Sequence, residues 1–288
     1  MTTTFYEVSV RFPKDEPGAE EALKQIFLRQ LGYEESALTV TSQGRHGSIQ
    51  VFCTTPLRAK RLLDRLKALK LKKVRVVEKT LSARDWRDKW KRQIKPFHLT
   101  RTYDVVPLWN RKDYQAGGRE PIFLDTTLAF GTGLHETTWF MSQLIEGCAG
   151  RFKSFLDIGT GTGLLSVVAA KSGAGTLWAV DIDPVSIETA RKNLAANGLE
   201  FDWCAVMDFA KFRRKQTFDF VAANVITAEL IRLRARIVSA VRPGGYLAVS
   251  GVSLDNLAYF KTAFSDQPLH CLRILKGKTW TAILYRKR

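Results

Sequence analysis

Two glycine-bearing stretches stand close together in this chain: "FGTGLHETT", Phe130 to Thr138, and "FLDIGTGTGLLSVV", Phe155 to Val168. Either can hold a ligand's polar end against bare backbone, because glycine turns sharply and carries no Cβ to stand in the way. In the second stretch Asp157 precedes Gly159, Gly161 and Gly163. Asp181 follows Gly163 by eighteen residues, at the end of the apolar run "TLWAV". A carboxylate there can accept both hydroxyls of a ribose. Asp208 ends the next strand-like segment, either to meet an adenine amino group or as an ordinary loop residue. Thr160 and Thr162 have a plainer reading as helix caps. In the first stretch Phe130, Gly131 and Gly133 permit close approach, and Thr137 or Thr138 can donate a hydrogen bond to a carboxylate. His135 can assist a deprotonation or simply hydrogen-bond its own loop.

The familiar phosphate loops do not fit. No GxxxxGK[ST] is present, and "GTGTGL" lacks the GxGxxG spacing of dinucleotide sites. A shorter glycine run behind an acidic residue suits a ligand that bears an amino acid in place of a pyrophosphate. Asn224 lies just past the apolar run "FDFVAA", where its carbonyls can orient the N–H groups of an amine; its alternative reading is a strand-end turn. The residues at this point are "NVIT", with neither a proline nor an aromatic ring after the asparagine.

These residues need elements to position them. The segment over Phe152–Leu284 alternates strands with helices, the pattern of a parallel sheet covered on both faces. The strands are expected at "SFLDIG", "TLWAVDID", "FDWCAVMD", "FDFVAANV" and, after a turn at "RPGG", at "YLAVSGV". The helices are expected at "GLLSVVAAKSG", "PVSIETARKNLAANG" and "AELIRLRARIVSAV", and a final helix and strand pair completes the segment. Residues 1–80 read instead as βαββαβ, the order of a ferredoxin-like sandwich: a helix over Ala19–Leu31 ended by Gly32, and a second helix with proline at its first position in "PLRAKRLLDRLKALK". Residues 81–97 are expected to form a linker helix, capped by Ser82 with Asp85 and stopped by Pro96, with Trp86, Trp90 and Ile94 along one face. "TYDVVPLW" and "PIFLDTTLAF" read as strands at the start of the domain over 98–288.

Composition narrows the class. The formal net charge of +17 is uneven: residues 121–200 carry 5 basic and 8 acidic side chains, whereas residues 201–288 carry 15 and 6. The glycine loops therefore sit in an acidic quarter inside a basic shell, which either attracts RNA, acidic proteins or ribonucleoprotein particles or serves solubility alone. Cys53, Cys148, Cys204 and Cys271 form no CxxC pair, so buried free thiols are expected and no metal site. No apolar run reaches the roughly 18 residues of a membrane span, and the start of the chain does not read as a signal peptide. The expectation is a cytoplasmic monomer.

"DIGTGTG" with "VDIDP" resembles the class I S-adenosylmethionine-dependent methyltransferases, across roughly Phe152 to Leu284. "LDTTLAFGTGLHETT", "VAANVITAEL" and "RPGGYLAVSGV" are similar to one family in particular, the enzymes that methylate large-subunit ribosomal protein L-eleven. Its patterns read "LDxGLAFGTGTHPTT", "VVANILAxPL" and "KPGGxLILSGI". The resemblance spans about Trp86 to Val252 in motifs; Leu134, Glu136 and Thr160 stand where that family carries threonine, proline and cysteine. It implies that Thr138, Gly159, Asp181 and Asn224 contact S-adenosylmethionine, with Asp157, Gly161, Gly163, Asp208, Phe130 and Gly131 completing the candidate set. It also implies that the first glycine stretch is a lid or wall at the methionine end, that residues 1–80 recruit the substrate, and that the acceptor is a lysine or α-amino nitrogen of a ribosomal protein. Lysines of a different protein, or RNA drawn to the basic surface, are the alternative acceptors.

Overall fold

The computed structural model describes residues 4–16, 18–31, 33, 38–43, 45–53, 56–69, 71, 73–82, 95–125, 133–213 and 217–288. The chain divides into two compact units, Met1–Gln93 and Ile94–Arg288.

In the first unit β1 (Thr4–Pro13), α1 (Ala19–Gln25), β2 (Thr39–Gln43), β3 (His46–Cys53), α2 (Pro56–Ala68) and β4 (Arg75–Ser82) follow the expected βαββαβ order. The strands pair antiparallel in the order β2-β3-β1-β4. Alternation along β1 sends Val8, Val10 and Phe12 to one face, where they meet Leu23 and Phe27 from one helical segment and Leu62 and Leu66 from the other. The first helix runs on as a wider π-helical turn, Ile26–Gln30, and Gly32, its expected stop, lies outside the described residues. The linker helix expected over 81–97 differs at its ends. Leu81 and Ser82 belong to β4, opposite Phe5 and Thr4, and Phe97 pairs with Val105 as extended backbone. Pro96 enforces that break by disfavouring helix at the residue before it. Residues 83–94, with Trp86, Trp90 and Ile94, lie outside the described residues.

The second unit opens with a small sheet of β5 (Phe97–His98), β6 (Tyr103–Pro107) and β7 (Glu120–Leu124). The expected strand "TYDVVPLW" stops at Pro107, and Leu108–Asn110 turn as a 3-10 helix. Then come α3 (Glu136–Glu146), β8 (Ser154–Ile158), α4 (Leu164–Lys171), β9 (Thr176–Asp181), α5 (Pro184–Ala196) and β10 (Trp203–Val206). They are followed by β11 (Phe218–Asn224), α6 (Thr227–Ala240), β12 (Val241–Ser253), α7 (Leu257–Ala263), β13 (Leu269–Lys276) and β14 (Trp280–Lys287). The main sheet has the order β10-β9-β8-β11-β12-β14-β13. It is parallel except for β14, which enters antiparallel between β12 and β13. Phe155 and Phe220 bury one side of it with Phe152, their ring centroids 5.0–6.2 Å apart. Leu156 and Val221 face the opposite side, in a second apolar cluster with Leu230 and Ile237 of α6.

The "RPGG" turn is not a boundary. It is an excursion within β12, whose pairing with β11 jumps from Phe218–Val241 to Phe220–Tyr246. Gly245 is required there, since a Cβ would lie 2.9 Å from the Arg242 carbonyl and 3.0 Å from that of Asp219. Strand order reverses between β8 and β11. In open α/β sheets a ligand crevice forms at such a point, beyond the carboxyl ends of the strands.

Candidate active site

The loop after β8 carries the second glycine run to that crevice. Gly159, Gly161 and Gly163 have φ of 73°, 55° and 79°, a region that other residues rarely occupy. Gly163 also allows α4 and α5 to approach, because a Cβ would lie 3.0 Å from that of Ala190. Asp181, at the end of β9, accepts the Gly161 N–H on Oδ2 at 2.9 Å and the Asp183 N–H on Oδ1 at 3.0 Å. The loop's shape and the candidate ribose carboxylate are therefore fixed together.

Asp157 lies beneath the loop, fully buried. Its Oδ2 accepts hydrogen bonds from the Thr160 hydroxyl at 2.9 Å and the Ser166 hydroxyl at 2.7 Å. Its Oδ1 has no partner among the described residues. Burial pushes the carboxyl up to about 6, against the pull of those two hydroxyls and with a smaller push from nearby Asp181. Thr160 is thus a tie between loop and carboxylate.

Asn224 ends β11 opposite Ser250 of β12. Its neighbour Val225 reaches the glycine loop, since a Cβ on Gly159 would lie 2.7 Å from Val225 Cγ1. On its other side a Cβ on Gly251 (φ 89°) would collide with the Val225 carbonyl. The Thr227 hydroxyl donates to the Gly251 carbonyl at 3.0 Å. The segment after Asn224 is therefore wedged between two glycines.

The described end of the first stretch comes to the same place. A Cβ on Gly133 would lie 3.1 Å from both Leu164, the first residue of α4, and the Phe97 ring. The two glycine stretches thus meet at the start of one helix. His135 caps α3: its Nδ1 accepts from the Thr137 N–H at 3.3 Å and lies 2.7 Å from the Thr137 hydroxyl, while its ring packs on Trp280 at 5.6 Å. Thr138 is 1% exposed, and its hydroxyl makes no hydrogen bond among the described residues. Phe130 and Gly131 lie outside the described residues. Asp208 caps a 3-10 turn, accepting from Ala210 N–H at 2.8 Å and Arg232 at 3.2 Å on Oδ1. The Ala210 bond, then Arg232, hold its carboxyl below the usual range. The loop reading of Asp208 is therefore occupied, with Oδ2 left over.

Three features escaped the sequence reading. Glu136, where the resembling family carries proline, accepts the N–H groups of Lys278 at 3.0 Å, Thr279 at 3.4 Å and Trp280 at 3.0 Å. A Cβ on Gly277 would strike the same carboxylate, so the turn between β13 and β14 is moulded around it. Asn193, fully buried on α5, donates to the Thr162 carbonyl at 2.8 Å and accepts the Asp125 N–H at 2.6 Å. Asn197, one turn on, exchanges two bonds with Phe123, 2.9 and 2.7 Å. Two asparagines at i, i+4 facing the free edge of β7 were the available signal. Ile182, immediately after Asp181, is 74% exposed. An apolar residue placed directly after a strand-end carboxylate was the available signal.

The strand order with β14 reversed, together with a glycine loop after β8 answered by a carboxylate at the end of the neighbouring β9, defines a class I S-adenosylmethionine-dependent methyltransferase. The chain belongs to the ribosomal protein L11 methyltransferase (PrmA) family, whose model matches residues 19–288. A ribosomal protein L11 methyltransferase of Pelobacter propionicus is 33% identical over 218 residues, 74% of this chain and 70% of that protein. One of Trichlorobacter lovleyi is 34% identical over 214 residues, covering 72% and 69%. The solved ribosomal protein L11 methylase of Lactobacillus delbrueckii subsp. bulgaricus superposes with a TM-score of 0.61 at 28% identity, over 68% of this chain and 100% of that one. This protein is accordingly a methyltransferase that acts on protein. Its site fits the methyl donor on its own terms: Thr138 Oγ1 and Asp157 Oδ1 are buried polar atoms without hydrogen-bond partners among the described residues, and the loop between Asp157 and Leu164 carries three glycines at positive φ.

Proposed function

We propose that this chain transfers methyl groups from S-adenosylmethionine to lysine or α-amino nitrogens of large-subunit ribosomal protein L11, in the cytoplasm and as a monomer. The observation that carries the choice of acceptor is Asn224. It is half-buried at the end of β11, makes no side-chain hydrogen bond among the described residues, and is followed by "VIT" rather than by prolines and an aromatic. A base amine would lack a stacking platform worth about 1–3 kcal/mol. An amine on a flexible side chain needs only a carbonyl acceptor and room to turn.

Bound S-adenosylmethionine supplies an electrophilic methyl group on a sulfonium. We read Thr138 as donor to its carboxylate, Asp157 Oδ1 as acceptor for its ammonium, Asp181 as acceptor for its ribose hydroxyls, and Ile182 with Asp208 as the adenine wall. The acceptor nitrogen must be neutral to attack. A positive charge nearby and partial burial lower its pKa, and the Asn224 carbonyl holds its N–H groups. With Nδ1 of His135 committed to the cap of α3, the proton leaves to solvent. Asp181→Ala is expected to weaken donor binding roughly thirty-fold, about 2 kcal/mol for hydrogen bonds to a charged group. Unchanged affinity by calorimetry would remove Asp181 from the site.

The βαββαβ unit, read as a ferredoxin-like module, recruits the protein substrate, and the basic surface adds a weak contact with ribosomal RNA. A chain shortened to begin at Ser82 should bind the donor normally and methylate the ribosomal protein at least ten-fold more slowly; full-rate methylation would refute recruitment. Mass spectrometry of ribosomal proteins from cells with and without the enzyme tests the whole reading. Loss of the methylated mass forms of L11 from cells without the enzyme is expected. Unchanged protein masses with a methyl mark lost from RNA would transfer the activity to RNA.

A further inference from the structure

The first unit holds a cavity of about 560 Å³ whose walls use none of the residues discussed so far for methyl transfer. One row of side chains crosses the sheet into it. Thr41 of β2 lies opposite Ser48 of β3, Ser48 opposite Arg11 of β1, and Arg11 opposite Arg75 of β4. His46, Gln50 and Lys73 add further polar side chains to its lining, and among the described residues no carboxylate lines it.

Three things here are unfavourable for folding alone. Arg11 and Arg75 are like charges directly opposite each other, which destabilises a strand pair, and neither has an ion-pair partner among the described residues. Ser48 is 8% exposed, yet its hydroxyl makes no hydrogen bond among the described residues. Lys73 has φ 57°, a left-handed conformation found at no other described residue except glycines, and its ammonium is held by Glu16 at 3.1 Å. One occupant relieves the first two together: an oxyanion that accepts from both guanidinium groups and from the Ser48 hydroxyl. Donors arriving from separate strands match the several oxygens of a phosphate better than the two coplanar oxygens of a carboxylate. The aromatic ring at the wall, Phe12, is 3% exposed and belongs to the core, so no platform is offered to a base. Contacts of that kind position a nucleic acid without reading its sequence.

We propose that this cavity binds a backbone phosphate of RNA. It rests on the reading above that the basic surface meets RNA and gives that contact a place. The test measures binding of the full-length protein to a labelled single-stranded oligoribonucleotide across a salt series, beside calorimetry with S-adenosylmethionine. Arg11→Ala combined with Arg75→Ala should weaken RNA binding at least ten-fold. It should also flatten the log–log salt dependence by at least roughly 0.7, the value of one phosphate contact to a single strand. Ser48→Ala, which removes only an unpaired hydroxyl, should weaken RNA binding two- to three-fold without lowering the melting temperature. Lys261→Ala combined with Arg273→Ala changes the net charge equally at exposed positions of the other unit and should do less. Equal losses in both double variants would reduce the effect to surface charge and overturn the site. So would displacement of RNA by a glutamate-rich peptide but not by a second oligoribonucleotide. Arg11-dependent binding of inorganic pyrophosphate without any binding of RNA would assign the cavity to free phosphate and defeat the RNA contact altogether. RNA binding that both Arg variants leave intact would spare that contact and remove this cavity from it.

Discussion

Asn224→Ala is expected to lower the turnover number about 100-fold while the dissociation constant for S-adenosylmethionine changes less than three-fold. The side-chain amide makes no hydrogen bond among the described residues, so its removal leaves the end of β11 and its pairing with β12 in place. What is lost, on the function proposed above, is the carbonyl that aims the acceptor nitrogen. Displacing a reacting group by an ångström costs on the order of 100-fold. An interaction made only as the methyl moves lowers kcat and kcat/KM alike and spares ground-state binding. Single-turnover kinetics with saturating donor measure this directly. A kcat within a few-fold of wild type would leave Asn224 a strand-end residue, and a donor affinity that falls as far as kcat would make it a binding residue instead.

The second large effect is on stability. Burial first, opposed by the Ser166 and Thr160 hydroxyls, lifts the Asp157 carboxyl from 3.8 to about 6. A carboxyl raised on folding acts against stability once it ionises. Below about pH 4 it is protonated in both folded and unfolded chains and contributes no difference. Between about 4 and 6 the unfolded chain releases its proton first, so stability falls as pH rises, and above about 6 the full penalty applies, roughly 3 kcal/mol. Asp157→Asn keeps an acceptor for the two hydroxyls and removes the ionisation. Its stability relative to wild type should therefore rise by about 3 kcal/mol between pH 4 and pH 7 in urea unfolding, the other carboxylates cancelling in the comparison. Parallel stability curves would show that the carboxylate is compensated in the folded state. Should Oδ1 receive the donor's ammonium, donor affinity will also fall as pH drops below about 6, because only the carboxylate form attracts it.

How far these features were legible follows from the range of the forces that set them. The parallel strands announce themselves because β8 and β11 are buried on both faces, leaving runs such as "FLDI" and "FDFVAA" without polar alternation. Asp181 was readable because its partner, the Gly161 amide, belongs to a local motif. The excursion in β12 was not: "RPGG" carries every mark of a turn, and only pairing on both sides with β11 shows that the strand continues through it. Nor was the setting of His135 legible, because Thr137 and Trp280 meet its ring from two directions, one of them 145 residues away. Glu136 was least accessible of all. A carboxylate that binds backbone amides 142 to 144 positions later leaves no periodicity to detect, because the partners contribute no side chains.

That same grip bears on when the enzyme becomes competent. Residues 278–280, which Glu136 holds, and β14, which fills the gap between β12 and β13, are synthesised after every other part of the site. A nascent chain that has emerged only as far as β13 already contains both partners of the Asp181–Gly161 bond. It still lacks the anchor for the first turn of α3, where His135 and Thr138 stand, and the edge of β12 is still open. The anchor of the first turn of α3 is thus supplied by the last hairpin of the chain, whereas the glycine loop and Asp181 draw on segments that precede it.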